Sequence, residues 1–542
     1  MRRAPSLGWV LATVAVVASG VASGVAMAQP SADEVTASDR SGSSAVAPGV
    51  SATDADSAAA ADTDSAADDN SGADTGSAAD DRSGTDRGSA ADDPPGADSG
   101  SAADASSTAP PSASLTDLRA SAPPVPWYQR ATSALGIFVL IAIAWLMSVD
   151  RRRFPTRIVA WGLGLQLVFA LFVLKTTAGH RLFAFLNDVV VKLLSFTNDG
   201  ARFVFGDYLD EKFTVALNVL PTIVFFSALM AVLYHLGIMQ RAVSGLAWVM
   251  QRTMKTSGAE TLSAAANIFV GQTEAPLVVK PYVSKMTVSE LNSVMVGGFA
   301  TVAGGVLAAY VGMLHERLPD IAGHLIAASV MSAPAALLIA KVMVPEREEP
   351  ATRGVVKLGV ERIDANVIDA AARGAGEGLH LALNVGAMLL AFLALVALAN
   401  YLVGLPVELW NQAFDTAYAP WTLQELLGHV FYPVAFVLGV PPEDCGAIGA
   451  LLGEKIVLNE FVAYVHLGEM ITSGEGIGYR ASVIATYALC GFANFGSIAI
   501  QLGGIGSIAP ERRGDLARLG LRAMIGGTLA ACMTAAFAGL LL

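Results

Sequence analysis

Charge is what this chain has least of. Only 15% of its 542 residues are Asp, Glu, Lys or Arg, against 54% hydrophobic residues and a mean hydropathy of +0.53. Soluble globular chains carry about 25% charged residues, so the composition excludes a cytosolic enzyme or a nucleic-acid binder and defines an integral membrane protein. Cysteine is nearly absent as well. Cys445, Cys490 and Cys532 are odd in number, lie in or beside apolar segments and show no CxxC or Cys/His spacing. That removes a disulfide scaffold, a metal centre and a redox pair. The histidines are scattered without ligand spacing. Gly504, Gly506 and Ala509 make a GxGxxA match, but it follows an apolar span and not the strand of a βαβ unit, so no dinucleotide site is expected.

The net charge of −13 is a local property. Residues 31–120 hold 18 Asp and Glu against 4 Arg, so the rest of the chain is close to neutral. The body therefore makes no electrostatic claim on nucleic acid. The start of the chain has basic Arg2 and Arg3, an apolar core from Leu7 and small residues Ala26 and Ala28, the pattern of a secretory signal peptide over residues 1–28. Residues 29–126 are Ala, Asp, Ser, Gly and Thr with almost no large apolar side chain, a composition that cannot offset chain entropy and predicts an exported disordered tail. SAAD recurs there every 12 residues, from Ser65 to Ser101, but without apolar positions the repeat cannot stack a core.

Residues 127–542 form the membrane domain. Apolar runs of about 20 residues predict eight spans, near 132–149, 156–175, 214–237, 290–314, 322–344, 377–402, 481–503 and 518–541. Lys and Arg follow the odd spans: Arg151, Arg152, Arg153 and Arg157 after the first, Arg241 and Arg252 after the third, Arg347 and Arg353 after the fifth, Arg512 and Arg513 after the seventh. Residues 403–420 have none. By the positive-inside rule the odd exits face the cytoplasm and both termini lie outside. Amphipathic stretches near 183–203 and 238–255 are expected to lie along the interface, in contact with lipid.

Two apolar segments do not read as spans. Residues 261–279 carry Asn267, Gln272, Thr273 and Glu274 and are interrupted by Gly271 and Pro276. Three consecutive side chains fan out by about 100° each on a helix, so only an unwound turn gathers 272–274 on one side. Such a turn at membrane depth belongs to a re-entrant hairpin. Residues 443–468 repeat the pattern around Asn459 and Glu460, and each hairpin is followed by a span rich in small or polar residues, GGFATVAGG and GFANFGSIAIQLGG. By span count the hairpins enter from opposite sides. The fold expected is all-α, with eight transmembrane helices, two opposed re-entrant hairpins in an inverted repeat, and interfacial helices, its site where the tips meet.

From about residue 130 onward, NIFVGQTEAP, GGFATVAGGVLAAY, NEFVAY and LCGFANFGSIAIQLGGIG occur in order and closely resemble the concentrative nucleoside transporter family. The resemblance implies cation-coupled uptake of nucleosides by alternating access and a homotrimer; an inner-membrane location is expected for the exported chain. It implies that Gln272, Thr273 and Glu274 address the nucleobase, that Glu460, Asn494 and Ser497 bond the ribose hydroxyls, and that Phe492 and Val306 give apolar surface. It also implies a sodium site made by Asn267 and Thr301 with the carbonyls of Val270 and Val302. The side chains themselves agree: intramembrane carboxylates are costly and mark function, and a cation-free set of donors and acceptors suits a neutral polyhydroxy solute better than a phosphate. A proton carried by Glu274 is the alternative coupling ion. An intramembrane hydrolase or transferase using Glu274 and Glu460 as acid and base is the rival of another class, so the chain is read as a carrier and not an enzyme.

Overall fold

The computed structural model describes residues 124–211, 214–315, 318–352, 364–472 and 477–542. The expected signal peptide and nearly all of the expected tail lie outside the described residues. Within them the chain is all-α. Its longer helices are α1 (Trp127–Leu146), α2 (Thr156–Lys175), α3 (Thr177–Phe205), α4 (Leu220–His235), α5 (Ile238–Met254), α6 (Gly258–Ala266), α7 (Val288–Ala300), α8 (Gly304–Leu314), α9 (Ile321–Met343), α10 (Val367–Phe414), α11 (Leu423–Val437), α12 (Cys445–Val457), α13 (Glu460–Thr472), α14 (Tyr479–Leu489), α15 (Phe495–Ile508) and α16 (Arg513–Leu541).

Seven of these units are long and apolar enough to cross a bilayer, the fourth being α7 and α8 taken together across a break. The seventh expected span, 481–503, is the pair α14 and α15, which Cys490 to Asn494 divide into two shorter pieces. GFAT, residues 298–301, overlaps the end of α7, whereas GFAN, residues 491–494, lies in the break after α14. The amphipathic stretches fall in α3 and α5 as expected, and α4 is entered through a π-helical turn, Val215–Val219, just before Pro221, which has no N–H to give.

One expectation on extent needs correction, and two features are new. The sixth span is not confined to 377–402, and residues 403–414 are helix, because α10 runs for 48 residues and absorbs Pro406. Asn366 caps its start, accepting from the N–H groups of Ile368 and Asp369. The second arm of the first hairpin is a 3₁₀ turn, Ala275–Val279, and a short helix, Lys280–Val283, since Pro276 and Pro281 deny it a regular ladder. Helix α11 was not foreseen. Its 15 residues are too few for a span, and its start is a capping box of Thr422 and Glu425.

The inner layer consists of the hairpins and the two broken spans with α9 and α16. Helices α7, α8 and α9 are almost wholly buried, whereas α1, α2, α4 and α10 leave most of their apolar surface open. Helix α10 touches α4 along a stripe of small residues; a Cβ at Gly374 or Gly378 would collide with Ser227 and its neighbours on α4.

The two ends of the bundle are tied separately. At one end Val149 N–H donates to Met343 O (3.0 Å), Arg157 Nε to Thr253 O (3.2 Å), Gly258 N–H to Thr352 O (2.8 Å) and Arg512 Nη1 to Ser284 O (3.1 Å). The foot of the first hairpin sits here. Buried Lys341 of α9 pairs with Glu260 of α6 at 2.8 Å and Glu346 at 3.0 Å, while Ser257 donates to Glu290 of α7 at 2.5 Å. At the other end Arg130 Nη2 donates to Leu542 O (3.0 Å), Arg480 Nε to Gly439 O (2.9 Å) and Gly478 N–H to Asp444 (3.2 Å), at the foot of the second hairpin. The hairpins thus enter from opposite ends.

Candidate functional site

Between the hairpin tips lies a cavity of about 150 Å³. Gln272, Thr273 and Glu274 line it from the first hairpin, Glu460 from the second, Phe492 and Asn494 from the α14–α15 break, Ser497 from the first turn of α15, and Val306 from α8. All eight residues expected to face a solute therefore surround one space. Helix α10 closes a side with Leu381, Val385, Met388 and Leu389.

Local geometry explains how each polar group is held. At the first tip the chain unwinds after Ala266, turns through Gly271 and resumes as the 3₁₀ segment. A Cβ at Gly271 would overlap Glu274 Oε2, so only glycine lets this carboxylate fold back over the turn. At the second tip Asn459 caps α13 by accepting from Val462 N–H at 2.9 Å. Glu460 opens that helix, where a carboxylate is favoured by the helix dipole. Asn494 caps α15 by accepting from Ser497 N–H at 2.8 Å and donates its Nδ2 to Glu460 Oε2 at 3.1 Å. The remaining Glu460 oxygen accepts from Tyr310 Oη at 2.9 Å. Each oxygen keeps lone-pair capacity for one further donor, as vicinal hydroxyls would require.

Two participants escaped the sequence reading. Tyr310 lies one turn beyond Val306 on α8, and its hydroxyl orients Glu460. Gln501 is fully buried; its Nε2 donates to Gln272 Oε1 at 3.0 Å and to Met295 O at 3.1 Å. Because a carbonyl fixes which end of the Gln501 amide is nitrogen, Gln272 must present oxygen to Gln501 and nitrogen to Ser497 Oγ, 3.2 Å away. The signal for Gln501 existed: Asn494, Ser497 and Gln501 advance by steps of three and four along one helical face.

The other expected set surrounds the break in the first hairpin. Asn267 is 0% exposed, yet neither amide atom has a hydrogen-bond partner among the described residues. It rests on α7, where a Cβ at Gly297 would lie 3.2 Å from Asn267 Nδ2. Gly304 N–H donates to Phe269 O at 3.0 Å, which joins the hairpin break to the α7–α8 break. Thr301 donates its hydroxyl to Gly297 O at 2.9 Å and keeps its lone pairs. Among the described residues no backbone N–H bonds the carbonyls of Val270 or Val302. Oxygen dipoles left unmatched in a buried site are the donor set a small hard monovalent cation takes.

Hairpins that open from opposite ends onto one cavity between two broken helices, each tip bringing polar side chains to it, define a secondary transporter architecture. The chain matches the N-terminal and C-terminal models of the Na+ dependent nucleoside transporter over residues 135–208 and 324–539, and a nucleoside recognition model over 216–317. It is 46% identical over 416 residues to an uncharacterized transporter of Haemophilus influenzae, covering 76% of this chain and 97% of that one. To the sodium/nucleoside cotransporter 1 of Mus musculus it is 43% identical over 429 residues, 76% of this chain and 64% of the relative. Among solved structures it superposes on CNTnw, both in an inward-facing substrate-bound state (TM-score 0.69, 44% identity, 76% of this chain and 97% of that) and, as a doubly substituted variant, in an outward-facing state (TM-score 0.70, the same identity and coverage). The chain belongs to the concentrative, sodium-dependent nucleoside transporter family, a family of multi-pass membrane carriers and not of enzymes.

Proposed function

We propose that this protein imports nucleosides across an inner membrane by sodium symport, with the cavity between the hairpin tips alternately open to either side. Gln272, Thr273 and Glu274 meet the base, Glu460, Asn494 and Ser497 the ribose hydroxyls, and Val306 and Phe492 give apolar contact. Neutral solutes fit because Glu274 and Glu460 repel phosphates while their oxygens accept from O–H and N–H. Sodium is cargo in this scheme, held by Asn267, Thr301 and the carbonyls of Val270 and Val302. CNTnw in inward-facing and outward-facing states is the precedent for alternating access. The apolar length of α10 left open supports assembly, and a homotrimer is the state proposed.

The observation that carries the ion assignment is Asn267, buried with no partner for either amide atom. The site lies next to the tip that holds Gln272, so occupancy by an ion orders the base subsite, and linkage makes each ligand raise the affinity for the other by one factor. One sodium ion descending a tenfold gradient and 100 mV yields about 3.7 kcal/mol, enough for a solute gradient of about 500-fold. Asn267→Ala is expected to raise the sodium concentration for half-maximal uridine binding at least tenfold, with most nucleoside affinity restored at saturating sodium. Binding titrations at several sodium concentrations decide it. Wild-type affinity unmoved by sodium, with uptake driven by an imposed pH gradient, would replace sodium by a proton.

A further inference from the structure

Lys455 is a buried cation that the site described so far does not use. It lies on α12, five residues before Glu460, and is 0% exposed. Among the described residues its ammonium makes one hydrogen bond, to Ala488 O at 2.8 Å, and no carboxylate stands within ion-pair distance. The two nearest in sequence are engaged elsewhere: Glu454 with His466 at 2.9 Å, Glu460 with Tyr310 and Asn494. Burying an ammonium against one neutral carbonyl costs several kcal/mol, so a purely structural cap would be served more cheaply by an amide or a hydroxyl. Tyr464 of α13 shows the cheaper solution two residues earlier on α14, its hydroxyl donating to Thr486 O at 2.7 Å.

What Lys455 reaches is the C-terminal end of a half-helix. Ala488 is in the last turn of α14, where free carbonyls give negative potential. The first repeat has a comparable feature, since α7 ends at its own break, at Ala300. There the side chain arriving from the hairpin is Asn267, neutral and unpartnered. One repeat therefore brings a charge on its own chain to the end of the broken helix, and the other brings an amide with room for one.

We propose that the Lys455 ammonium is a tethered counterpart of the coupling ion, taking at the second break the place that sodium takes at the first. This deepens the sodium reading above and rests on it. Hairpin two and Glu460 are then ordered whether or not sodium is present, the ribose subsite stands ready at all times, and each nucleoside is accompanied by one sodium ion through hairpin one alone.

The test is sodium titration of equilibrium uridine binding to the purified full chain, with choline as replacement cation. Wild type is expected to give a Hill coefficient near one for sodium. In Lys455→Met the second break must find a free ion, so the coefficient should rise toward two and half-maximal sodium increase about tenfold, while Lys455→Arg keeps wild-type behaviour. The converse variant, Asn267→Lys, should bind uridine with little dependence on sodium, and it decides the matter if Lys455→Met does not fold. A Lys455→Met protein with a coefficient of one, or with affinity lowered equally at every sodium concentration, would make Lys455 a helix cap only and overturn the proposal. If instead wild-type binding ignores sodium, it is the underlying sodium reading that has failed.

Discussion

Single side chains in the cavity do two things at once, and Glu460 shows what this means for affinity. Its oxygens already accept from Tyr310 and Asn494, at 2.9 Å and 3.1 Å, so in the proposed ribose subsite the carboxylate is held in place in advance and would lose little rotamer entropy on binding. Glu460→Gln keeps the shape but turns one acceptor into a donor: with the amide oxygen still accepting from Asn494, the new N–H groups face Tyr310, whose hydroxyl can accept, and a solute finds one neutral acceptor in place of a carboxylate. Loss of charge-assisted bonds costs about 1.5 to 3 kcal/mol, or about 10-fold to 150-fold in affinity. The expected outcome is that uridine affinity falls by that factor. A 2′,3′-dideoxynucleoside, already weak on wild type, should be nearly indifferent to the change. Equal losses for both ligands in a competition assay would separate Glu460 from the sugar.

At the scale of elements, the site depends on two broken helices crossing at their breaks. Phe492 N–H donates to Thr301 O at 3.3 Å, joining them directly. Gly491 makes the approach possible: its φ is +133°, and a Cβ there would stand 2.8 Å from Phe299 O and 3.0 Å from Ala300 O. Gly491→Ala should therefore cost about 1 to 3 kcal/mol through backbone strain and overpacking. A lowered Tm together with weakened nucleoside binding is the expected result, and an unchanged Tm would mean that the crossing yields freely. How much of this was legible in the sequence follows from the same physics. Polar residues inside apolar segments are costly, so Asn267, Glu274, Glu460 and Asn494 stood out. Tyr310 did not, because a tyrosine in an apolar helix reads as packing, and Gln501 needed its face to be compared with Asn494. Helix α11 was silent for being shorter than a span, and the true length of α10 was hidden because no glycine marks its end: the C-cap is Asp415, in the left-handed conformation.

The whole molecule is organised by two ends that share no ties. Residues 149–157, 253–258 and 346–352 meet at one, and Arg130, Leu542 and the foot of the second hairpin meet at the other, so an even number of crossings separates the start of α1 from the end of α16. Arg151, Arg152 and Arg153 belong to the first end, and Asp415 to the loop after α10, in a stretch of 403–420 that has no Lys or Arg. An asymmetry of this kind sets orientation through the basic loops, so the first end should face the cytoplasm. The three native cysteines are all buried, which leaves a clean background for single reporter cysteines. In intact cells or right-side-out vesicles, Asp415→Cys is expected to react with a membrane-impermeant maleimide, whereas Arg152→Cys should react only after the membrane is opened. The reverse pattern would invert the protein and root the first hairpin, with Asn267, on the outer side and the second, with Lys455, on the cytoplasmic side.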